Sequence, residues 1–193
     1  MRESETARRA LTDAIALFEQ VRDAGLEATL AAAAALVASL RAGGKVLLFG
    51  NGGSAADAQH TAAELVGRFV RARRGYAALA LTSDGSVTTS IANDYGYDTV
   101  FARQIEALGR PGDVAFGITT SGRSANVVRA LEHARRLGLT TIALTGGDGG
   151  DAGGLADVHV NVPSTATPRV QEVHMALLHV ICDLVESELA AEP

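Results

Sequence analysis

Val46-Leu47-Leu48-Phe49-Gly50-Asn51-Gly52-Gly53-Ser54-Ala55 is the stretch on which the fold turns. Four consecutive apolar residues predict a strand buried on both faces, as in a parallel sheet. The glycines after it let the backbone turn tightly and approach a ligand, and the helix expected over 55–69 offers its free N–H groups to an anion. The alternation then repeats. Apolar runs Ala78–Leu81, Val114–Ile118, Thr141–Leu144 and Val158–Val162 predict further buried strands, and helical spacing appears at 98–109, at 124–137 and from about 168 to 190. Ahead of the first strand, 4–23 repeats Leu11, Ile15, Phe18 and Val21 at helical spacing, and the Ala/Leu-rich 26–41 is stopped by Gly43-Gly44. No repeat or low-complexity linker divides the chain, so the expectation is one domain over 1–193, with 1–43 used for packing or oligomerisation. Alternating strands and helices imply a doubly wound α/β domain with a five-stranded parallel sheet. Ligands of such sheets sit beyond the carboxyl ends of the strands, which singles out loops 50–54, 82–86, 119–124 and 145–150.

With 193 residues, 47% apolar and 20% charged, the chain can bury a real core. A net charge of −5 and no long basic run argue against a nucleic-acid surface. The one positive cluster, Arg68, Arg71, Arg73 and Arg74, reads as a solvated loop after a helix. A single cysteine, Cys182, cannot form an internal disulfide and sits in the apolar run Val180-Ile181-Cys182, as a small packed hydrophobe in a reducing compartment. The start, Met1-Arg2-Glu3-Ser4-Glu5, is charged, and the longest apolar stretch, Leu30 to Ala38, is too short for a membrane span. The expectation is a cytoplasmic protein with no membrane or nucleic-acid partner.

Read literally, Gly50–Ala55 also satisfies the dinucleotide fingerprint G-x-G-x-x-A. That reading needs an acidic residue about 20 residues on. Asp84 is 34 residues on, in a Ser/Gly loop, so no nucleotide cofactor is expected. The third strand runs into Thr119-Thr120-Ser121-Gly122-Arg123-Ser124 before its helix. One hydroxyl suffices to cap a helix. Four around a glycine make a neutral anion cradle of hydroxyls and backbone N–H groups, suited to a phosphate.

Gly-Asn-Gly-Gly-Ser-Ala-Ala-Asp-Ala-Gln-His at 50–60, Ala-Asn-Asp-Tyr-Gly-Tyr at 92–97, Thr-Ser-Gly-Arg-Ser at 120–124 and Arg-Val-Gln-Glu-Val-His at 169–174 together resemble the phosphoheptose isomerase (sedoheptulose 7-phosphate isomerase) family of the sugar isomerase (SIS) superfamily. The resemblance spans roughly residues 8 to 188. It implies a five-stranded SIS fold, a homotetramer, and conversion of sedoheptulose 7-phosphate to D-glycero-D-manno-heptose 7-phosphate. It places the phosphate on Thr119, Thr120, Ser121 and Ser124, and the other substrate contacts on Asn51, Gly52, Gly53, Glu64, Asn93, Asp94 and Gln171. Arg123 departs from the family's asparagine, which changes the charge of the phosphate loop.

His60 and Glu64, four apart, share a helix face. They read either as a surface pair or as proton-transfer groups. An aldose–ketose isomerisation moves a proton between adjacent carbons through an enediol, and so needs a base for carbon and an acid–base group for the oxygens. The resemblance assigns these roles to Glu64 and His179. Spacing alone does not select among the later histidines: His174 and His179 point ~140° apart on one helix, but Glu172 is also in line with His179. The resemblance leaves packed or surface roles to His133, His159 and His174. In some family members residues matching His60, Glu64, Gln171 and His179 bind zinc, which implies one ion per subunit. Glutamine is an unusual zinc ligand, and a base on a cation is a weaker base. Gln171 and His179 lie ~12 Å apart along one helix and ~80° apart around it, so a shared ion implies His179 from a neighbouring subunit and sites shared between subunits. The alternatives are a non-catalytic SIS protein that binds the DnaA replication initiator, whose kind lacks matches to Glu64 and His179, and a sugar-phosphate sensor without turnover.

Overall fold

The computed structural model describes residues 2–190; Met1 and residues 191–193, the ends of the expected 1–193 span, lie outside the described residues. Two helices, α1 (Arg2–Asp23) and α2 (Glu27–Arg41), precede the alternating part. Then follow β1 (Val46–Gly50), α3 (Gly53–Val66), β2 (Ala78–Ala80), α4 (Gly85–Tyr95), a short 3-10 turn at Tyr97–Thr99, α5 (Val100–Leu108), β3 (Val114–Thr119), α6 (Ala125–Arg136), β4 (Thr140–Gly146), α7 (Gly150–Leu155), β5 (Val158–Val162) and α8 (Thr167–Ala190). The five strands form one parallel sheet in the order β2-β1-β3-β4-β5, so the expected architecture holds. Strand order reverses between β1 and β3, which makes the loops after these two strands the switch point.

The apolar runs are continuous because both faces of the sheet are covered. Val46, Leu48, Phe116, Ile118, Ile142 and Leu144 face α1, α2, α3 and α8, while Leu47, Phe49, Ala115 and Ala143 face α5, α6 and α7. This is the period-2 alternation of a pleated strand, with apolar residues at both phases. Each fully buried Leu, such as Leu36 or Leu178, contributes about 1.5–3 kcal/mol. Cys182 packs in the same core, and burial pushes its thiol up to about 12. No single helix among the described residues is long and apolar enough to cross a membrane.

The structure refines the sequence reading at three places. In α1 the core-facing residues are Leu17 and Val21, whereas Leu11, Ile15 and Phe18 form an exposed stripe. Helix α4 was not foreseen beyond the loop expected at 82–86, because Gly, Ser, Thr and Val dominate it and are poor helix formers. Its one sequence signal is Asp84, whose side chain accepts from the Val87 N–H as an N-cap. The arginine cluster is not simply solvated: the Arg73 side chain is 4% exposed and its Nε donates to Glu186 Oε1 at 3.0 Å. Arg73 also donates to the carbonyls of Glu64, Leu65 and Gly67, which closes the carboxyl end of α3. Glu186 accepts from the backbone N–H groups of Phe69, Val70 and Arg71. Burial alone would raise the Glu186 carboxyl, but these donors and Arg73 outweigh it and hold it below the usual glutamate range.

Candidate active site

Gly50 of β1 is in register with Ile118 of β3, so the glycine loop and the Thr/Ser loop leave the sheet side by side. A Cβ on Gly53 would meet the Gln171 carboxamide, the movable end of a flexible side chain, which marks where α8 rests on this loop. Gly122 (φ 67°) is the constrained position, since a side chain there would strike the backbone carbonyl of Gly149. Ser124 is the N-cap residue of α6 but makes no side-chain capping bond; its Oγ lies 3.0 Å from Thr119 Oγ1 instead. The Val127 N–H donates to the Ser124 carbonyl at 3.0 Å, so the first-turn N–H groups left for an anion are those of Ala125 and Asn126.

The structure also adds a residue that sequence reading missed. Asn51 and Asn126 exchange two carboxamide hydrogen bonds of 2.8 Å each, and Tyr97 Oη donates to Asn51 Oδ1 at 3.0 Å. The buried Asn126 thus ties the glycine loop to the start of α6. Its only sequence signal was an amide in the first turn of a helix beside the hydroxyl loop.

The residues expected to carry acid–base work come together through the pairing of α3 with α8. Gln171 meets Gly53, His179 meets His60, and Glu186 meets the segment just past α3, so the two helices run in the same direction. His60 Nε2 and His179 Nε2 are 2.9 Å apart, and the same His60 nitrogen is 3.4 Å from Glu64 Oε1. One imidazole donates in the first contact. The Phe69 ring lies 5.4 Å from that of His179. His60 is exposed, and Glu64 and His179 are half-buried, so the cluster is open to a substrate.

Within one chain His179 reaches His60 beside Glu64, so the helix geometry that pointed to a neighbouring subunit's His179 does not by itself require one. The helix geometry behind that expectation is sound, because Gln171 and His179 do sit at different levels of α8. What it could not foresee is that His60 and Glu64 lie at the level of His179, leaving Gln171 at Gly53. Among the described residues no group of three or more His, Cys, Asp or Glu side chains is arranged to hold a metal ion. The donor types, two imidazoles and a carboxylate, nonetheless suit zinc. A tetrahedral zinc with bonds of ~2.0–2.1 Å spaces its ligand atoms ~3.4 Å apart. The His60–Glu64 spacing already matches, and the two histidines would have to part by about half an ångström, breaking their hydrogen bond.

Asn93 and Asp94 are exposed on α4, where Asn93 Nδ2 donates to Asp94 Oδ1 at 2.8 Å, and neither hydrogen-bonds loops 50–54 or 119–124. His174 is fully buried, with Nε2 2.9 Å from the Thr145 carbonyl oxygen, and burial pushes it down to about 4. His159 bonds Thr145 Oγ1 and is lowered by burial. Both are packed residues. Asp57, buried on α3 one turn before His60, has an Oδ2 without a hydrogen-bond partner. Burial raises its carboxyl to about 6, against a smaller opposing effect of His60.

The model of the SIS domain family matches residues 11–146. The phosphoheptose isomerase of Aquifex aeolicus is 59% identical over 151 residues, 78% of this chain and 79% of that protein. A solved phosphoheptose isomerase from Neisseria gonorrhoeae superposes with a TM-score of 0.91 at 44% identity, covering 95% of this chain and 98% of that one. Another, from Francisella tularensis, gives 0.93 at 36% identity, covering 97% and 100%.

Proposed function

We propose, from the premise that the chain belongs to the SIS domain family and within it to the phosphoheptose isomerases, that it interconverts sedoheptulose 7-phosphate and D-glycero-D-manno-heptose 7-phosphate through an enediol. Its class is that of its relatives, an aldose–ketose isomerase. The observation that carries the reading is the convergence of His60, Glu64 and His179 on one open face of the α3–α8 pair.

Glu64 takes the proton from C1 of the ketose while His179 gives one to the C2 carbonyl oxygen, which forms the 1,2-enediol. Glu64 then returns its proton to C2, and His179 removes the O1 proton as the aldehyde forms. His60, bonded to His179, fixes the tautomer and orientation of that ring. Thr119, Thr120, Ser121 and Ser124 with the α6 N–H groups hold the phosphate. Asn51, Gly52, Gly53 and Gln171 meet the sugar from the glycine loop and α8, and Asn93 and Asp94 from α4. Zinc would be held by His60, Glu64 and His179, with Gln171 as a fourth ligand if its side chain leaves Gly53. Bound there, it would polarise a carbonyl oxygen.

A cytoplasmic homotetramer with sites at subunit boundaries completes the reading. It is supported by the exposed Leu11–Ile15–Phe18 stripe and by an apolar groove between α2 and α8. The retained Glu64 and His179 weigh against a non-catalytic initiator-binding protein. The test is to incubate the protein with sedoheptulose 7-phosphate and look for a new aldose phosphate by NMR. Tight binding without any aldose product would defeat the enzyme reading in favour of a sensor.

A further inference from the structure

A cleft of about 690 Å³ opens where β3 and β4 end, lined in part by Thr120, Ser121, Gly147, Ser164 and Thr165. Arg123 is the one basic residue of its lining among the described residues, and Asp148 the one acidic residue. The Arg123 guanidinium is held at two points: Nη1 donates to the Ser121 carbonyl at 3.0 Å, and Nη2 to Asp148 Oδ2 at 2.6 Å. Asp148 is itself anchored, its Oδ1 accepting from the Gly150 N–H at 3.1 Å. The Arg123 backbone N–H donates to Ser121 Oγ at 3.2 Å, so this residue is part of the hydroxyl loop and not a bystander to it.

Everything else in that loop is neutral. Hydroxyls and N–H groups can shape a phosphate site, but a dianion gains more from a guanidinium, which pairs with two phosphate oxygens at once. The Arg123 and Asp148 side chains are 57% and 69% exposed. An ion pair that open is held weakly and exchanges easily.

We propose that Arg123 is a phosphate ligand of the substrate, parked on Asp148 in the free protein and exchanged onto a phosphate oxygen when a sugar phosphate binds, with Asp148 as the competitor that sets the affinity. The proposal rests on the reading of 119–124 as the phosphate cradle. Arg123 and the Gly150 N–H hold the Asp148 carboxyl at about 2, so it competes at every working pH. A sugar phosphate is mostly dianionic above pH ~6, where the exchange is most favourable.

The experiment is calorimetric titration of the full chain with sedoheptulose 7-phosphate and, separately, with inorganic phosphate, at low salt and at ~0.15 M salt. Arg123→Asn should bind sedoheptulose 7-phosphate about tenfold more weakly than the unmodified protein and with a shallower salt dependence. Asp148→Asn, which keeps an acceptor for Gly150, should bind about threefold more tightly at low salt. That gain should vanish in the double variant, because the freed arginine is gone. Unchanged affinity in Arg123→Asn, or no gain in Asp148→Asn, would overturn the exchange. The Ser121→Ala/Ser124→Ala variant separates the two readings. If it loses affinity while Arg123→Asn does not, only the arginine proposal fails, and if neither loses affinity the cradle itself is wrong.

Discussion

Replacing Glu186 with alanine should be among the most damaging single changes in this chain, although the residue has no part in the proposed proton transfers. The wild-type carboxylate accepts from three backbone N–H groups at 2.7–3.0 Å and from Arg73 Nε at 3.0 Å. Four hydrogen bonds to a charged group at about 1.5–3 kcal/mol each would total more than most single substitutions cost. Most of that sum is not lost. Val70 and Arg71 are exposed, so water reaches their N–H groups in the variant, and Arg73 keeps its carbonyl acceptors. What remains is a guanidinium with 4% exposed side chain and no counter-charge, for which about 3–5 kcal/mol is the appropriate cost. At about 2–4 °C per kcal/mol for a chain of this size, the melting temperature should fall by roughly 6–20 °C. The chain has no tryptophan, so far-UV circular dichroism in urea is the suitable probe. The folded Glu186 carboxyl lies below its ordinary value of 4.5, so its contribution is present above that pH and is lost as pH falls through the lower folded value. The deficit of the variant should therefore be full at pH 7 and shrink under acid. A loss below about 1 kcal/mol at pH 7 would refute the view that this buried pair holds the end of α3 to α8.

Glu64→Gln keeps helix and volume but removes the base, so turnover should drop ~10²–10⁴-fold in a folded protein; retention of a tenth of the activity would clear Glu64 of proton transfer. Because His179 meets His60 and Glu64 within one chain, mixing Glu64→Gln with His179→Ala under subunit exchange should restore no activity. Recovery would mean the working site takes these residues from different chains. Asp57→Asn removes a carboxyl that burial raises from 3.8 to about 6. Wild-type stability from this group is present below its unfolded value and is lost as pH rises through the folded one, so the variant should gain about 1–3 kcal/mol at pH 8 and nothing at pH 4. Equal melting temperatures at pH 8 would show that Asp57 has a partner there. For the zinc reading, His60→Ala should abolish stoichiometric uptake measured by elemental analysis; unaltered uptake would move the ion elsewhere.

The strands, most of the helices and the two strand-to-helix turns after β1 and β3 were legible in the sequence because each is a local pattern. A run such as Val46–Phe49 needs only its own apolar residues to declare a doubly covered strand, and Gly52-Gly53 needs only its own missing side chains to declare a tight turn. Family resemblance added the names of Glu64, His60 and His179. What no local pattern contains is which level of α8 lies against which level of α3. That was decided by contacts such as His60 with His179 and Phe69 with Glu186, more than 100 residues apart in the chain. They bring His60, Glu64 and His179 together within one chain. The same holds for Arg73, which reads as a surface charge until a buried carboxylate from the last helix meets it, and for Asn126, an ordinary helix-start residue until Asn51 faces it across the switch point. Periodicity and propensity report the environment of a residue along its own element. Partners brought by packing between elements depend on how whole faces fit, and only the folded chain holds that information.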